Sequence, residues 1–395
     1  MATKAAGRTT GLGWPQLVFL LGGRLAFNTA FRMIYPLLAF LAVEFGVSLQ
    51  MASLLVTVQV GATLLSPLGG ALADGRGERA ALTAGLALFT AGALLCALAP
   101  SFWPFFGGYT LVGLGTALFM PAVQAYASNR SIYAERGRVL GLLELSWALA
   151  ALVGVTSLTQ LVEARGGWGA AFGVLAAAGA SLLALSPLLN GTPSGGQAAG
   201  PGKGGVLTAL RQQSVAPALA FVVLQMCAVE LIFVAYAAWL EQDFGAATRQ
   251  IGLVFGLLGL AELGGSLGAT LLTDRIGKRR AVLLGFTATG LLMLALPATA
   301  GTWWAFLTLF LLFGLCFEFG IVSVFPLMSG LGERSQGSVL ALTVAASGAG
   351  RIGGSLLGPR LLEGPGFAAN GLLAGLIALG GVGLGLALVR EGGHD

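Results

Sequence analysis

Twelve apolar segments fill most of this chain, and each is long enough to cross a lipid bilayer as a helix. A crossing needs about 20 apolar residues in a row, since only a helix satisfies its own backbone polar groups in lipid. Charged residues make up 9% of the chain, against about 25% in soluble domains, which is too little polar surface for a water-soluble globule. We therefore predict an all-α membrane protein with twelve transmembrane helices, at residues 15–41, 50–72, 80–99, 103–126, 138–160, 169–189, 216–240, 250–272, 281–299, 303–326, 338–361 and 366–389.

A short charged turn occurs twice, 200 residues apart, in otherwise apolar surroundings at 74–79 and 274–280. Between the two copies, a Gly-, Ser- and Pro-rich segment at 190–215 divides the twelve segments into six and six. These features predict two pseudo-symmetric six-helix bundles, at 1–189 and 216–395, joined by a cytoplasmic linker at 190–215.

Lysine and arginine concentrate in the loops on one side of the predicted helices. Of the 21 such residues, fifteen lie on the side of the two charged turns, three on the opposite side and three inside helices. Cytoplasmic loops carry this excess, so we expect the charged turns and both ends of the chain to be cytoplasmic. The net charge of +5 reflects this bias and not a nucleic-acid partner, because no basic patch with interleaved aromatic residues accompanies it.

Seven ionisable residues lie inside the predicted helices, where each costs about 2.5–3.5 kcal/mol at a helix centre. They therefore have to face the protein interior or a wet cavity. None falls in the third, sixth, ninth or twelfth helix, so we expect these four helices to be outer, lipid-facing supports and the other eight to surround a central path. The seven residues are Arg24, Arg32, Glu144, Glu230, Glu262, Glu318 and Arg351.

The first predicted helix carries a polar stripe. Arg24, Asn28 and Arg32 are four residues apart, and each step drifts only about 40° around the helix, so they share a face that also includes Tyr35. Two arginines on one face suit the carboxylate or phosphate of a solute. The alternative is that they form structural pairs with Glu144 and with backbone carbonyls.

Trp147 follows Glu144 by three residues and shares its helical face. A carboxylate beside an indole ring suits a cationic or aromatic solute, whereas the alternative is local packing. The candidate substrate-binding residues are therefore Arg24, Asn28, Arg32, Tyr35 and Trp147.

The second half carries Glu230, Glu262 and Glu318, with Arg351 as their only local cation. One arginine does not neutralise three carboxylates, and a glutamate left without a cation in a low-dielectric site can take up and release a proton. We therefore predict that these four residues include the proton-coupling group. The alternative is that the glutamates are protonated structural hydrogen bonders.

The sequence predicts neither a metal nor a cofactor. Cys96, Cys227 and Cys316 are dispersed in apolar segments, and the single histidine is His394. This leaves no histidine-based catalytic group for the membrane interior, and the chain has no nucleotide-binding Gly-Lys motif, so we predict that the protein is not an enzyme.

The charged turns carry a family resemblance. The first reads Gly70-Ala-Leu-Ala-Asp74-Gly-Arg-Gly77-Glu-Arg79, and it resembles the Gly-x-x-x-Asp-Arg-x-Gly-Arg-Arg signature of the major facilitator superfamily, with Gly75 and Glu78 in place of two arginines. The second, Asp274-Arg-Ile-Gly-Lys-Arg-Arg280, is closer to the signature, although Thr270 replaces its leading glycine. Arg136-Gly-Arg138, between the fourth and fifth helices, is also similar to the family.

This resemblance implies a monomeric secondary transporter, similar to the bacterial efflux-permease branch, in a bacterial-type inner membrane. In this family the first, fourth, seventh and tenth helices line the substrate cavity, and the halves rock about a site at mid-membrane. The resemblance also implies gating residues on the cytoplasmic side: Asp74, Arg79, Arg136, Asp274 and Arg275.

We therefore expect a secondary active transporter that works by alternating access and uses H+ to export a small organic or amphipathic solute. Two alternatives remain open at this point. One is uptake of an organic anion bound by the first-helix arginines, and the other is transport of a lipid or lysolipid.

Overall fold

The computed structural model describes residues 12–131, 133–189, 210–212, 214–331 and 336–389. Within these residues the prediction of an all-α protein with twelve transmembrane helices is confirmed, and the observed ends lie within a few residues of the predicted ones. The helices are α1 (Trp14–Phe45), α2 (Leu49–Ala73), α3 (Glu78–Leu98), α4 (Phe102–Arg130), α5 (Leu142–Arg165), α6 (Gly169–Leu188), α7 (Val215–Phe244), α8 (Thr248–Ile276), α9 (Lys278–Thr299), α10 (Trp303–Leu331), α11 (Ser338–Glu363) and α12 (Phe367–Leu388).

The helices form two six-helix bundles, α1–α6 and α7–α12. The bundles meet through α1, α2 and α5 on one side and α7, α8 and α11 on the other. The four helices expected to be outer supports pack within their own bundle, α3 against α4 and α6, and α9 against α10 and α12. Of the predicted linker, residues 190–209 and 213 lie outside the described residues.

The two charged turns share one backbone geometry. Helices α3 and α9 each begin directly after a glycine with positive φ, which is 89° at Gly77 and 94° at Gly277. A side chain strains this conformation, so the glycine of the repeated turn is a backbone requirement. We call the membrane face with these turns the charged-turn side and the opposite face the far side.

Three of the helices that meet between the bundles are irregular, and the first of them, α2, is interrupted at Ser53 and again at Leu64 and Leu65. A π-helical stretch occupies Ala150–Val155 of α5, and α7 is interrupted between Phe233 and Tyr236. Such irregularities concentrate where membrane helices line functional cavities. The π-helical stretch begins two residues after Ala148 and the interruption of α7 directly follows Phe233, and both of these residues line the space described below.

Helices α3 and α4 approach each other through paired glycines, which is a common way for membrane helices to pack. A Cβ atom added at Gly108 would lie 2.8 Å from the Gly92 carbonyl oxygen and 2.9 Å from the Cys96 backbone nitrogen. The neighbouring Gly107 has no such atom within 4 Å. The close approach therefore requires glycine at 108 but not at 107.

We expect Gly108→Leu to reduce the free energy of unfolding by about 1–3 kcal/mol, because the side chain pushes α3 and α4 apart. Thermal unfolding in detergent measures the change, with Gly107→Leu as the matched control that stays near the wild-type midpoint. Equal midpoints for the two variants would contradict the close packing.

Candidate functional site

A cavity of about 620 Å³ lies between the two bundles. Its lining comes from α1, α5, α7, α8, α10 and α11, and the peripheral helices α3, α6, α9 and α12 contribute nothing to it. Its size falls within the range of small-molecule sites, about 300–1,000 Å³. The polar and aromatic lining residues are Phe31, Arg32, Tyr35, Glu144, Trp147, Phe233, Phe255, Glu262, Ser266, Thr270, Phe317, Glu318, Phe325 and Arg351.

Arg32 of α1 joins the bundles at the cavity wall. Its guanidinium lies 2.6 Å from the Glu262 carboxylate of α8, and both side chains are almost fully buried, at 3% and 5% exposure. The guanidinium carbon lies 4.4 Å from the ring centre of Trp147 and 5.0 Å from that of Phe255. One aromatic ring comes from each bundle, so the charge of Arg32 is held from both sides.

A second polar link runs from α11 to α1. Arg351 lies 3.5 Å from the fully buried Glu230 carboxylate of α7 and donates a hydrogen bond of 3.3 Å to the Tyr35 hydroxyl. Tyr35 and Arg351 line the cavity, whereas Glu230 lies behind them and is not part of the lining. Glu230 is therefore an anchor for Arg351 in this arrangement.

Arg24 forms a two-pronged ion pair with Glu144, with nitrogen–oxygen distances of 2.9 and 3.0 Å. Asn28 donates a hydrogen bond of 3.1 Å to Ser146. The polar stripe of α1 thus splits: Arg32 and Tyr35 face the cavity, while Arg24 and Asn28 are bound to α5. Arg24 thus makes the pair with Glu144 that was named as its structural alternative, and only Glu144 of the two lines the cavity.

Glu318 of α10 differs from the other interior glutamates. Its carboxylate accepts a hydrogen bond of 3.0 Å from the Ser266 hydroxyl of α8, and among the described residues it has no ion-pair partner. The three interior arginines are paired with the other three glutamates. The expectation that Arg351 is the only cation for the second-half glutamates is therefore wrong, because Arg32 crosses from the first half to Glu262.

Aromatic side chains form much of the remaining wall. The ring centre of Phe233 lies 5.9 Å from that of Tyr35 and 6.1 Å from that of Phe317. The ring centres of Phe31 and Trp147 are 6.1 Å apart. Phe255, Phe317 and the hydrogen-bonding Ser266 were not among the sequence candidates. Phenylalanine is common throughout this apolar chain, with 23 copies, so the sequence offered no signal to single these out.

The bundles are joined on the far side of the cavity. The hydroxyls of Thr57 and Ser355 lie 2.8 Å apart, and the Glu363 carboxylate accepts a hydrogen bond of 2.8 Å from the backbone of Leu49. Gly252 of α8 fits so closely against Thr159 of α5 that an added Cβ would overlap it. The cavity lining extends the other way, toward Thr270 and Phe325. The cavity is therefore closed on the far side and continues toward the charged-turn side.

Helix α4 differs from the family-based expectation, because none of its residues lines the cavity. Instead, the buried Tyr109 hydroxyl of α4 donates to the Ala30 carbonyl oxygen at 3.0 Å and makes a short contact with the Gln59 amide oxygen. The Gln59 amide nitrogen in turn donates to the Phe31 carbonyl oxygen at 3.1 Å. Helix α4 thus supports the backbone behind the α1 lining residues.

The first charged turn is held by a residue that departs from the family signature. The buried Glu78 lies 3.4 Å from Arg130 and accepts a hydrogen bond of 2.8 Å from Asn129, which ties the start of α3 to the end of α4. Of the predicted gating residues, the side chains of Asp74 and Arg136 lie outside the described residues. Arg79, Asp274 and Arg275 have no ion pair among the side chains that the structure describes.

Comparison with known proteins identifies the family. The family model described as Major Facilitator Superfamily matches residues 20–228 and 218–394. The uncharacterized MFS-type transporter YwfA of Bacillus subtilis (strain 168) is 27% identical over 358 residues, which cover 88% of this chain and 85% of that protein. The multidrug resistance protein MdtH of Cronobacter sakazakii is 31% identical over 141 residues, 34% of each chain.

A solved structure of the same fold is the crystal structure of a D-xylose-proton symporter, with a TM-score of 0.78, 16% identity, and coverage of 96% of this chain and 98% of that one. The chain belongs to the major facilitator superfamily. It is a multi-pass membrane protein and a secondary transporter of small molecules, not an enzyme.

The burial of Arg32 and Glu262 as an ion pair predicts that the two residues are coupled in the free energy of unfolding. Either Arg32→Gln or Glu262→Gln leaves one buried charge without its partner, and we expect each to reduce the free energy of unfolding by about 3–5 kcal/mol. The double variant removes both charges, so its loss of free energy of unfolding should be smaller than the sum of the losses in the two single variants. Denaturant unfolding of the four proteins in detergent measures this coupling, and strictly additive losses would show that the two residues do not interact.

Proposed function

We propose that this secondary transporter exports a small organic or amphipathic solute in exchange for protons, with Glu318 as the proton carrier. The observation that supports this is the unequal number of interior charges. Four glutamates share the cavity region with three arginines, and Glu318 is the one without an ion-pair partner among the described residues. A carboxylate in this position can exchange its charge for a proton without breaking a salt bridge.

Glu230 and Glu262 take different parts in this proposal. Each holds an arginine that faces the cavity, so loss of either negative charge leaves a buried cation alone. We assign them to positioning Arg351 and Arg32, and we assign proton exchange to Glu318. Arg351 and Arg32 then act on Glu318 only through their electric fields.

Uptake of an organic anion is less compatible with these contacts. Arg32 is bound to Glu262 and enclosed by two aromatic rings, and Arg351 is bound to Glu230 and Tyr35. An anion would have to displace a carboxylate from one of them. The two first-helix arginines that the sequence suggested as an anion clamp, Arg24 and Arg32, are likewise paired, with Glu144 and Glu262.

The direction of export rests on the orientation of the chain and on one partial relative. We propose that the charged-turn side is the cytoplasmic side of a bacterial inner membrane, as the arginine and lysine bias predicts. The cavity then opens to the cytoplasm, from which an exporter loads its solute. The similarity to MdtH, a multidrug resistance protein, covers only 34% of the chain but points the same way.

Alternating access requires the far side to open while the charged-turn side closes. We propose that the moving units are 1–189 and 216–395, and that Asp74, Arg79, Arg136, Asp274 and Arg275 meet when the charged-turn side closes. The pair of Glu78 and Arg130 ties α3 to α4 within the first unit. It therefore keeps the first charged turn in place while the units move.

Proton coupling predicts that Glu318→Gln uncouples transport from a pH gradient, because the amide cannot carry a proton. Proteoliposomes with a pH-sensitive dye inside, exposed to a panel of dyes, sugars and organic acids, report solute-driven proton movement. We expect at least one solute to drive protons through wild type and none through Glu318→Gln.

The matched control is Glu241→Gln, which removes one exposed carboxylate at the far end of α7 and should keep wild-type coupling. Proton movement that persists in Glu318→Gln would show that another group carries the proton. Transport by wild type that ignores the gradient would reject proton coupling as a whole.

Opening of the far side predicts that a covalent link there stops transport. Thr57→Cys and Ser355→Cys, combined in a protein without Cys96, Cys227 and Cys316, place two thiols where hydroxyls lie 2.8 Å apart. Oxidation should link α2 to α11 and stop flux, and a reductant should restore it. The Thr57→Cys variant alone controls for oxidation, and full flux through the linked protein would contradict opening on this side.

A further inference from the structure

We propose that the solute is a flat organic monocation and that it binds the Glu318 carboxylate in place of the proton. This inference rests on the proposed proton coupling and adds the chemical class of the solute and the site at which it competes. It is carried by three observations: the charge of the cavity, the nature of its walls and the surroundings of Glu318.

Four carboxylates and three guanidinium groups surround the cavity, so one carboxylate is left without a positively charged partner among the described residues. The guanidinium groups of Arg24, Arg32 and Arg351 each have a carboxylate within 3.5 Å, and Glu318 has only the Ser266 hydroxyl. A single positive charge therefore completes the balance of the site. A buried carboxylate is stabilised strongly by an opposite charge, so a monovalent cation or a proton fits where an anion does not.

The walls beside Glu318 suit a flat apolar body. Phe317 precedes Glu318 and packs against Phe233, which in turn contacts Tyr35, so three rings lie in sequence along the wall. Phe325 lies nearer the charged-turn side and is 43% exposed. Aromatic faces attract cations, and Trp147 already binds the charge of Arg32 in this way.

The groups that face Glu318 are few. Glu262 and Ser266 lie on α8, Arg32 on α1 and Arg351 on α11, and these are the groups whose charge or hydrogen bond acts on its carboxylate. Inside the membrane, α9 carries no charged residue beyond its first turn, and α10 carries none except Glu318. A bound cation therefore has Glu318 as its available counter-charge.

One carboxylate that holds either a proton or a monocation gives a one-for-one exchange. Each cation that leaves is replaced by one proton that enters, so the cycle moves no net charge. We therefore expect flux to follow the pH gradient and to be unaffected by an imposed membrane potential.

The experiment uses three compounds with one skeleton and different charges: the para-phenyl derivatives of N-methylpyridinium, pyridine and benzoate. Binding to the purified full-length protein in detergent is measured by calorimetry above neutral pH, where the three are cationic, neutral and anionic. We expect the cation to bind at least tenfold more tightly than the other two. As the pH falls into the range where Glu318 holds a proton, cation affinity should weaken by up to about tenfold for each pH unit, since one proton competes.

Variants test whether Glu318 supplies the negative charge that binds the cation. Glu318→Gln should abolish the preference for the cation, Glu318→Asp should weaken binding but keep its pH dependence, and Glu241→Gln should match wild type. If Glu318→Gln does not fold, wild type still decides the question, because cation binding must release protons in the range where Glu318 is protonated. Wild-type cation affinity in Glu318→Gln, no proton release at any pH, or equal binding of the neutral compound would overturn the inference.

Failure of this inference differs from failure of proton coupling. Protons driven through proteoliposomes only by neutral or anionic solutes would keep the proposed function and reject the monocation. Cation binding that depends on Glu318 but moves no proton in any liposome assay would reject the coupling instead.

Discussion

The ion pair between Arg32 and Glu262 is the contact on which the arrangement of the two bundles depends. Both charges are buried, and separating them inside the protein costs far more than keeping them together. Helices α1 and α8 are therefore adjacent at mid-membrane while the far side is closed. Trp147 and Phe255, one from each bundle, contact the same guanidinium, so Arg32 is held in place at the cavity wall. The aromatic wall and Glu318 are arranged around that point.

The pairing of the cavity arginines with carboxylates determines which charge the cavity offers to a solute. A view based on residue types alone would read two arginines in a cavity as a site for anions. Because each is already paired with a carboxylate, neither arginine is available to an anion, and the group left to meet a solute is Glu318. The proposed exchange of a proton and a cation needs no residue to change its partner. It needs only one carboxylate that is accessible from each side in turn.

The sequence predicted the helices well because hydrophobicity is a local property, and twelve spans could be placed to within a few residues. It also gave the pairing of Arg24 with Glu144 as one of two interpretations of that arginine, the other being a contact with the solute. It did not predict that Arg32 pairs with Glu262, since the distance between α1 and α8 depends on how two bundles meet. Glu78 looked like a departure from the family signature, yet it is the buried partner of Arg130. Pairings of this kind become visible only when the helices are placed beside one another.

The split of charges between the bundles has a consequence for biosynthesis. The first bundle contains Arg32 but not its carboxylate, and the second contains Glu262 but not its arginine. A ribosome completes the whole first bundle before it reaches α8, so Arg32 enters the membrane without its partner and stays so until the second bundle arrives. During that interval the guanidinium has to be satisfied by water, by lipid head groups or by the insertion machinery. The first half of the chain is thus an unfinished membrane protein, and the arrival of α8 is the step that completes it.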